Sequence, residues 1–220
     1  MQIKKDEVVW LLLFIAPAII LFFLFFIIPI LFLFVTSFTN WDGISAEFVG
    51  LENYTKLFNK KSFVRAITNN LYWCLTAALI TVPLALIIAL LLAHRSRGWK
   101  VFRTVLFIPQ VVSSAAIAML WAAMFNAEYG LVNFLLDYIG FSDYKNHNWL
   151  GNVRTANAAL IGFSLCYVGY FMVIMLAKTA GISEDYYDAA NIDGASQFQK
   201  DLHITAPLIK STFFLCIILA

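Results

Sequence analysis

The sequence predicts an all-α, polytopic membrane protein. Apolar residues make up 62% of the 220-residue chain and charged residues only 13%, and the mean hydropathy is +0.81. A soluble domain contains about 45–50% apolar and about 25% charged residues. The charged residues lie in short segments between long uncharged runs, which is typical of a chain that crosses a membrane several times.

Four uncharged runs are long enough to cross the hydrocarbon core, at residues 8–41, 66–93, 104–127 and 155–177. A crossing of about 30 Å needs about 20 residues at about 1.5 Å per residue. Each run is predicted to be a helix, because lipid cannot satisfy backbone hydrogen bonds. A fifth run begins at Ser211 and is still apolar at Ala220. We therefore predict four complete transmembrane helices plus the start of a fifth, and we expect the chain to be C-terminally incomplete.

The basic residues indicate the orientation. Residues 94–103 contain four basic side chains and no acid. The positive-inside rule places them in the cytoplasm, and with them the N-terminus, where Lys4 and Lys5 agree. By alternation, residues 178–210 are also cytoplasmic. Four basic residues between 56 and 65 oppose this orientation, and we interpret them as part of a short interfacial helix.

Two regions follow from this pattern. Residues 1–65 form an N-terminal cytoplasmic tail, a first transmembrane helix and an outer loop, and residues 66–220 form the main membrane domain. The uncharged runs hold no ionisable carboxylate or base, which argues against a proton-coupled transporter. The chain has no Gly-rich phosphate-binding loop, so it is not predicted to bind ATP by that device.

Other function classes find little support. The three cysteines and three histidines are scattered, so no metal site is predicted. A net charge of +2 is too small to indicate a nucleic-acid partner. A membrane enzyme remains an alternative, but the runs show no buried Ser/His or paired-acid arrangement for catalysis.

The 178–210 segment has the local signals of a short helix between two membrane helices. Gly181 can end the preceding helix in a left-handed cap. Ser183 is a good N-cap for a helix over residues 184–193. Gly194 can adopt the positive φ that reverses the chain, and Pro207 marks the entry to the next membrane helix.

A spaced motif runs through the same segment. Asp188-Ala189-Ala190 is followed after three residues by Gly194, and after nine more by Ile204-Thr-Ala-Pro207. This resembles the loop of ATP-binding-cassette (ABC) importer permeases, whose pattern is Glu-Ala-Ala, three residues, Gly, nine residues, Ile-x-Leu-Pro. Asp188 replaces the Glu of the pattern, which shortens the carboxylate by one methylene, and Ala206 replaces the Leu. We call residues 178–210 the coupling loop.

The resemblance extends over nearly the whole chain. Residues 187–196 look like the sugar-importer version of the motif, with Ile-Asp-Gly-Ala at its centre, and residues 48–54, 102–109 and 125–133 resemble other stretches of that group. The resemblance implies the type I ABC importer permease fold and a permease subunit that imports a sugar. An ABC-type permease for a non-sugar solute, such as a peptide, an amino acid or phosphate, is the alternative.

The resemblance also implies partners. These are cytoplasmic ATPase subunits that bind the ATP, a second homologous permease and an extracytoplasmic solute-binding protein, in the bilayer of a bacterial or archaeal cell. No cofactor is expected in this chain. Asp188 would pair with a basic ATPase residue, and Ala189, Ala190 and Gly194 would permit close docking, with Ile204 and Pro207 completing the motif.

The sequence does not assign the residues that bind the solute. Polar candidates lie within or beside the apolar runs, but each could equally pack or cap a helix: Asn69, Asn70, Ser113, Ser114, Asn157 and Ser164. We expect that these 220 residues do not transport a solute by themselves.

Overall fold

The computed structural model describes residues 5–95 and 97–220, so Lys4 of the predicted cytoplasmic tail lies outside the described residues. The chain divides into two compact units, residues 1–67 and 68–220. Regular structure in the described part is helical apart from one small hairpin, which confirms the all-α class.

The first unit contains one long helix, a hairpin and a short helix. Their bounds are α1 (Lys5–Phe22, a π-helical turn Phe23–Ile27, and Ile28–Thr36), β1 (Thr39–Trp41), β2 (Ala46–Phe48) and α2 (Glu52–Asn59). Helix α3 begins at Lys61 and runs to Ala93, with a π-helical turn at Ala77–Thr81.

The second unit contains the remaining helices. They are α4 (Trp99–Val111), α5 (Ser114–Met124), α6 (Leu131–Tyr138), α7 (Ala156–Thr179, with a 3₁₀ turn at Leu165–Tyr167), α8 (Glu184–Ile192), α9 (Gln197–Leu208, with a π-helical turn at Asp201–Thr205) and α10 (Lys210–Leu219). A further 3₁₀ turn covers Ser142–Tyr144.

Three described helices are long and apolar enough to cross a membrane unbroken, namely α1 from Trp10, α3 and α7. The third predicted run is not one helix, because α4 and α5 meet at 101°. Pro109 supplies no N–H to the carbonyl of Val105 and so weakens the last turn of α4. The helix ends at Val111, and Val112 and Ser113 adopt extended backbone angles before α5. Hydropathy reports how apolar a run is and says nothing about such a bend.

The bent pair lies in the part of the chain that returns from the end of α3 to the start of α7. Helices α3 and α7 run parallel, since Asn157 Nδ2 donates to Asn69 Oδ1 at one end (2.9 Å) and Leu92 and Leu176 line one cavity at the other. The chain between them therefore passes from one end of this pair to the other. Helices α9 and α10 form a second bent pair, at 65°.

Each π-helical turn ends two residues before a proline: Pro29, Pro83 and Pro207. A proline ring collides with the carbonyl four residues earlier and supplies no N–H to it. Widening the preceding turn to i→i+5 bonding relieves this conflict and keeps the helix intact. Each of these three prolines therefore lies within helix, although α9 ends one residue after Pro207.

The core of the second unit lies between α3 and α7. Val82, Ala85 and Ala89 on α3 pack against Met172 and Met175 on α7, and all five are fully buried. Small side chains on α3 let the two helices approach closely.

Gly169 shows how tight the contact between α7 and α4 is. A Cβ atom at this position would lie 1.9 Å from the carbonyl oxygen of Leu106. The two backbones are therefore in direct contact, and this explains one role of the 102–109 stretch.

The 48–54 stretch makes hydrogen bonds within the first unit. Asn53 donates hydrogen bonds from Nδ2 to the carbonyls of Ser37 (3.0 Å) and Thr39 (2.9 Å), and the Tyr54 hydroxyl lies 2.7 Å from Ser37 Oγ. These bonds join α2 to the hairpin. The hairpin, in which Asn40 pairs with Glu47, was not predicted from the sequence.

Candidate functional site

The coupling loop begins with a well-capped helix. Helix α8 starts after Ser183, whose Oγ accepts a hydrogen bond from Asp185 N at 3.4 Å. Glu184 and Asp185 lie in the first turn, where negative charge complements the helix dipole. The predicted N-cap is confirmed.

Gly194 ends α8 in a left-handed conformation, with φ +71°. Gly194 N donates to the Asn191 carbonyl (3.1 Å) and Ala195 N donates to the Ala190 carbonyl (2.9 Å), which together make a Schellman motif. A Cβ added at Gly194 would meet no atom within 4 Å. Within this chain, glycine is therefore needed for its backbone angle and not for space.

The expectation for Gly181 was wrong. Helix α7 ends at Thr179 with Ala180 in the right-handed region, and Gly181 is not among the described residues with positive φ. The chain leaves through short turns instead, since Gly181 N donates to the Lys178 carbonyl and Ile182 N to the Thr179 carbonyl. These bonds satisfy the end of the helix without a left-handed residue.

Two side-chain bonds fix α8 against α9. The Tyr187 hydroxyl lies 2.9 Å from Oγ1 of Thr205, which is 2% exposed, and Lys200 Nζ donates to Asn191 Oδ1. Ser196 and Gln199 form a capping box that starts α9. The short helix α8 is therefore tied by two side-chain bonds to the helix that leads into α10.

The motif residues divide into exposed and packed positions. Asp188, Ala189, Gly194 and Pro207 are exposed, while Ala190 and Ile204 are half-buried. Among the described residues, none makes a hydrogen bond or ion pair with the Asp188 carboxylate, which is thus available to a partner.

Sequence reasoning missed Ile192, which is 88% exposed at the end of α8. Its position within the motif, four residues after Asp188 and two before Gly194, was the available signal. An exposed large aliphatic side chain is common by itself. Here it lies beside the free Asp188 and the small Ala189, on a helix presented away from the core.

The coupling loop contacts the basic loop at residues 94–103. His94 Nε2 lies 2.9 Å and 3.1 Å from the two carboxylate oxygens of Asp201. The two loops therefore occupy the same end of α3 and α7.

The polar candidates within the runs have mostly structural roles. Asn69 and Asn157 bond to each other, and Ser164 Oγ bonds to the Ile161 carbonyl within its own helix. Ser113 is the N-cap residue of α5, though its side chain makes no capping bond.

Two further hydroxyls, which sequence reasoning missed, lie beside helix irregularities. The Oγ1 of Thr81, in the π-helical turn of α3, and the hydroxyl of Tyr167, in the 3₁₀ turn of α7, are buried without a hydrogen-bond partner among the described residues. Both turns fall near the middle of their apolar runs.

Asn133 of the 125–133 stretch joins α6 to the segments that precede and follow this helix. Asn133, 2% exposed, donates from Nδ2 to the carbonyls of Ala127 (3.2 Å) and His147 (3.0 Å) and accepts a bond from Trp149 Nε1. Gly130 has no room for a side chain, since a Cβ would lie 2.2 Å from the Asn126 carbonyl oxygen.

Residues 81–220 match the model of the family described as "Binding-protein-dependent transport system inner membrane component". The match includes α3 from Thr81 onward, the bent pairs and the whole coupling loop. The chain belongs to this permease family. It is therefore an inner-membrane transport subunit and not an enzyme, and the ATPase of such a system is a separate subunit.

Individual relatives agree with this assignment. The permease is 37% identical to the probable ABC transporter permease protein YurN of Bacillus subtilis, over 94% of this chain and 72% of that protein. It is 30% identical to the diacetylchitobiose uptake system permease protein NgcF of Streptomyces coelicolor, over 96% of this chain and 63% of that protein.

A solved structure also matches. The permease resembles a chain of a bacterial alginate ABC transporter crystallised with an alginate pentasaccharide-bound periplasmic protein. The TM-score is 0.83 and the sequence identity 25%, over 98% of this chain and 72% of that chain. The predicted ABC importer permease fold is confirmed.

Proposed function

We propose that the permease imports a saccharide across the cell membrane, driven by ATP hydrolysis in a separate subunit that docks on helix α8. The observation that carries the proposal is the geometry of α8. Its ends are capped, it is tied to α9 by Tyr187, and it presents the unpaired Asp188 beside Ala189 and Ile192. A rigid, exposed helix that continues into membrane helices can transmit movement from a docked partner to them.

The saccharide class is supported by two of the matched proteins. One relative is named for diacetylchitobiose uptake, and the matched structure holds an alginate oligosaccharide on its periplasmic protein. The Ile-Asp-Gly-Ala core of the coupling loop is of the sugar-importer kind. A partner permease and an extracytoplasmic binding protein would complete the system.

The docking of the ATPase is tested at Ala189, which is exposed and lies within α8. A large side chain at this position should leave the helix intact. Ala189→Trp should abolish both co-purification of the ATPase and uptake of a labelled oligosaccharide. Ala46→Trp is the matched control, since Ala46 is equally exposed but lies in the hairpin. Normal ATPase capture by the Ala189→Trp variant would contradict docking on α8.

The solute class is tested by competition. Labelled disaccharide and oligosaccharide uptake should be reduced by unlabelled saccharides and not by peptides or amino acids. Uptake of a peptide or an amino acid, with no saccharide uptake, would favour the non-sugar alternative.

The orientation is part of the same proposal: a cytoplasmic N-terminus, with residues 94–103 and the coupling loop in the cytoplasm. The contact between His94 and Asp201 supports placing both loops on one side. Alkaline phosphatase fused after Gly98 should be inactive and green fluorescent protein fluorescent, and the two reporters should exchange behaviour after Lys145. Active phosphatase after Gly98 would reverse the orientation.

A further inference from the structure

A cavity of about 570 Å³ lies where the basic loop meets the coupling loop. Specific ligand sites are typically about 300–1,000 Å³. Its wall includes the ends of the membrane helices, through Leu92, Trp99 and Leu176, as well as basic side chains. The lining of the cavity is thus partly apolar and partly polar.

Three basic side chains line the cavity: Arg95, Arg103 and Lys200. Neither arginine has a carboxylate within ion-pair distance among the described residues, and Lys200 is bonded only to the neutral Asn191 side chain. Arg95 is also the one described non-glycine residue with a positive φ, +51°. A residue that carries a side chain rarely adopts that backbone region.

Two acids line the same cavity, but one is already engaged. Asp201 is held by His94 at 2.9 Å, and Gln197 Nε2 lies 3.4 Å from its Oδ1. Glu184, at the first turn of α8, has no ion pair with a described basic residue. The arginines therefore keep their donors available to an anion from outside the chain.

The level of the cavity indicates the source of that anion. Arg95 follows the end of α3 by two residues, and Trp99 begins α4. Indole rings and basic side chains at helix ends lie among lipid headgroups. A basic pocket between membrane helices on the cytoplasmic side is suited to the phosphate of an anionic phospholipid.

We infer that this cavity binds the phosphate group of an anionic phospholipid, with Arg95 and Arg103 as its principal ligands and Lys200 as a third. The guanidinium groups would bond the phosphate oxygens in pairs, and Leu92 and Trp99 would contact the glycerol and the start of the acyl chains. A lipid bound here would contact both the basic loop and the coupling loop. This inference depends on the proposed orientation in one respect: the orientation decides that the lipid comes from the cytoplasmic leaflet.

The test uses the transporter assembled with its partner subunits and purified through a tag on this chain. Native mass spectrometry would follow titration with phosphatidylglycerol and, separately, with phosphatidylcholine of the same acyl chains. The first variant is Arg95→Gln with Arg103→Gln. The matched control is Arg97→Gln with Lys100→Gln, which removes the same charge from the same loop outside the cavity lining.

We expect phosphatidylglycerol to bind in preference to phosphatidylcholine. The Arg95/Arg103 variant should bind phosphatidylglycerol about ten- to thirtyfold more weakly, because each basic side chain near an anionic headgroup is worth about 1 kcal/mol. The Arg97/Lys100 control should change by less than about threefold. Replacing both arginines by lysine keeps the positive charge and should retain most of the phosphatidylglycerol binding. This variant also shows whether the protein folds when both arginines are replaced.

Three results would overturn the inference: equal binding of both lipids, equal loss in the two glutamine variants, or saturation of the site by inorganic phosphate with no dependence on lipid. Oligosaccharide uptake is measured on the same samples. If the unaltered transporter binds no phosphatidylglycerol but still takes up oligosaccharide, only this inference is contradicted. If the unaltered transporter binds the lipid but takes up no oligosaccharide, the proposed function is contradicted.

Discussion

Helices α1 and α7 are both apolar enough to cross a membrane, yet they differ in how this chain uses them. No residue in the most apolar window of α1 is buried within the chain, whereas 33% of the window of α7 is buried. Helix α1 is built from large side chains, many of them Phe, and α7 contains Gly162 and Gly169. Hydrophobicity therefore marks both helices as membrane helices, but close packing follows small residues and shape.

The largest expected effect comes from the tightest contact. Gly169→Leu should prevent the permease from folding, because a Cβ there would already overlap the Leu106 carbonyl. Ala18→Leu, in the exposed part of α1, should be tolerated. Size-exclusion chromatography of fluorescently tagged protein in mild detergent would compare the two. A normal peak for Gly169→Leu would contradict the packing of α7 against α4.

Core truncation should give the next largest effect. Met172 is fully buried and Phe14 is 89% exposed. Met172→Ala should lower the free energy of unfolding by about 2–5 kcal/mol, and Phe14→Ala by less than about 0.5 kcal/mol. Thermal unfolding in detergent, with and without the partner subunits, would measure both. Destabilisation by Phe14→Ala in the complex alone would show that α1 packs on another subunit.

A single hydrogen bond gives a smaller test. Trp121 Nε1 donates to the Ala159 carbonyl at 2.9 Å, whereas Trp10 is 72% exposed. Trp121→Phe should destabilise the protein by about 1 kcal/mol, because a partly buried carbonyl loses its donor. Trp10→Phe should have no measurable effect in the same unfolding assay. Equal effects would mean that the bond contributes nothing beyond aromatic packing.

The smallest effect is expected at the tip of the hairpin, as a function of pH. Hydrogen bonds from the backbone N–H groups of Ser45 and Ile44 hold the pKa of Asp42 below its ordinary value of 3.8. A carboxyl with a depressed folded-state pKa stabilises the fold above the unfolded pKa and loses that contribution as pH falls through the folded pKa. The tip should therefore loosen only below about pH 3.8.

The fluorescence of Trp41, which contacts Phe32 with ring centroids 5.2 Å apart, would report that loosening. Asp42→Asn removes the titrating group and should abolish the pH dependence in this range. A transition that persists in Asp42→Asn would have to arise elsewhere in the protein.

The coupling loop was the most predictable part of the molecule. The cap at Ser183 and the reversal at Gly194 depend on the intrinsic preferences of single residues, so local sequence was sufficient for both. The failure at Gly181 has the opposite cause. A glycine permits a left-handed cap without requiring it, and the short turns after Thr179 satisfy the same carbonyls.

The bend between α4 and α5 could not be predicted from the sequence, for a different reason. Pro109 weakens the helix, but Pro17 lies within α1 without breaking it, and three other prolines follow π-helical turns. A proline leaves the carbonyl four residues earlier without a donor. Whether the helix then continues, bends or ends depends on which neighbouring groups bond to that carbonyl. The hydrogen bonds of Asn133 and the burial of Thr81 depend likewise on contacts between distant segments.

The sequence by itself determined that the protein is a helical membrane protein, where its apolar runs lie, and which loop carries the importer motif. These follow from transfer of apolar residues out of water and from backbone preferences, both of which act locally. Only the tertiary structure decided that α3 and α7 run parallel, that His94 contacts Asp201, and that Arg95 and Arg103 border one cavity. Such contacts join residues far apart in the chain, and their formation depends on how the helices pack.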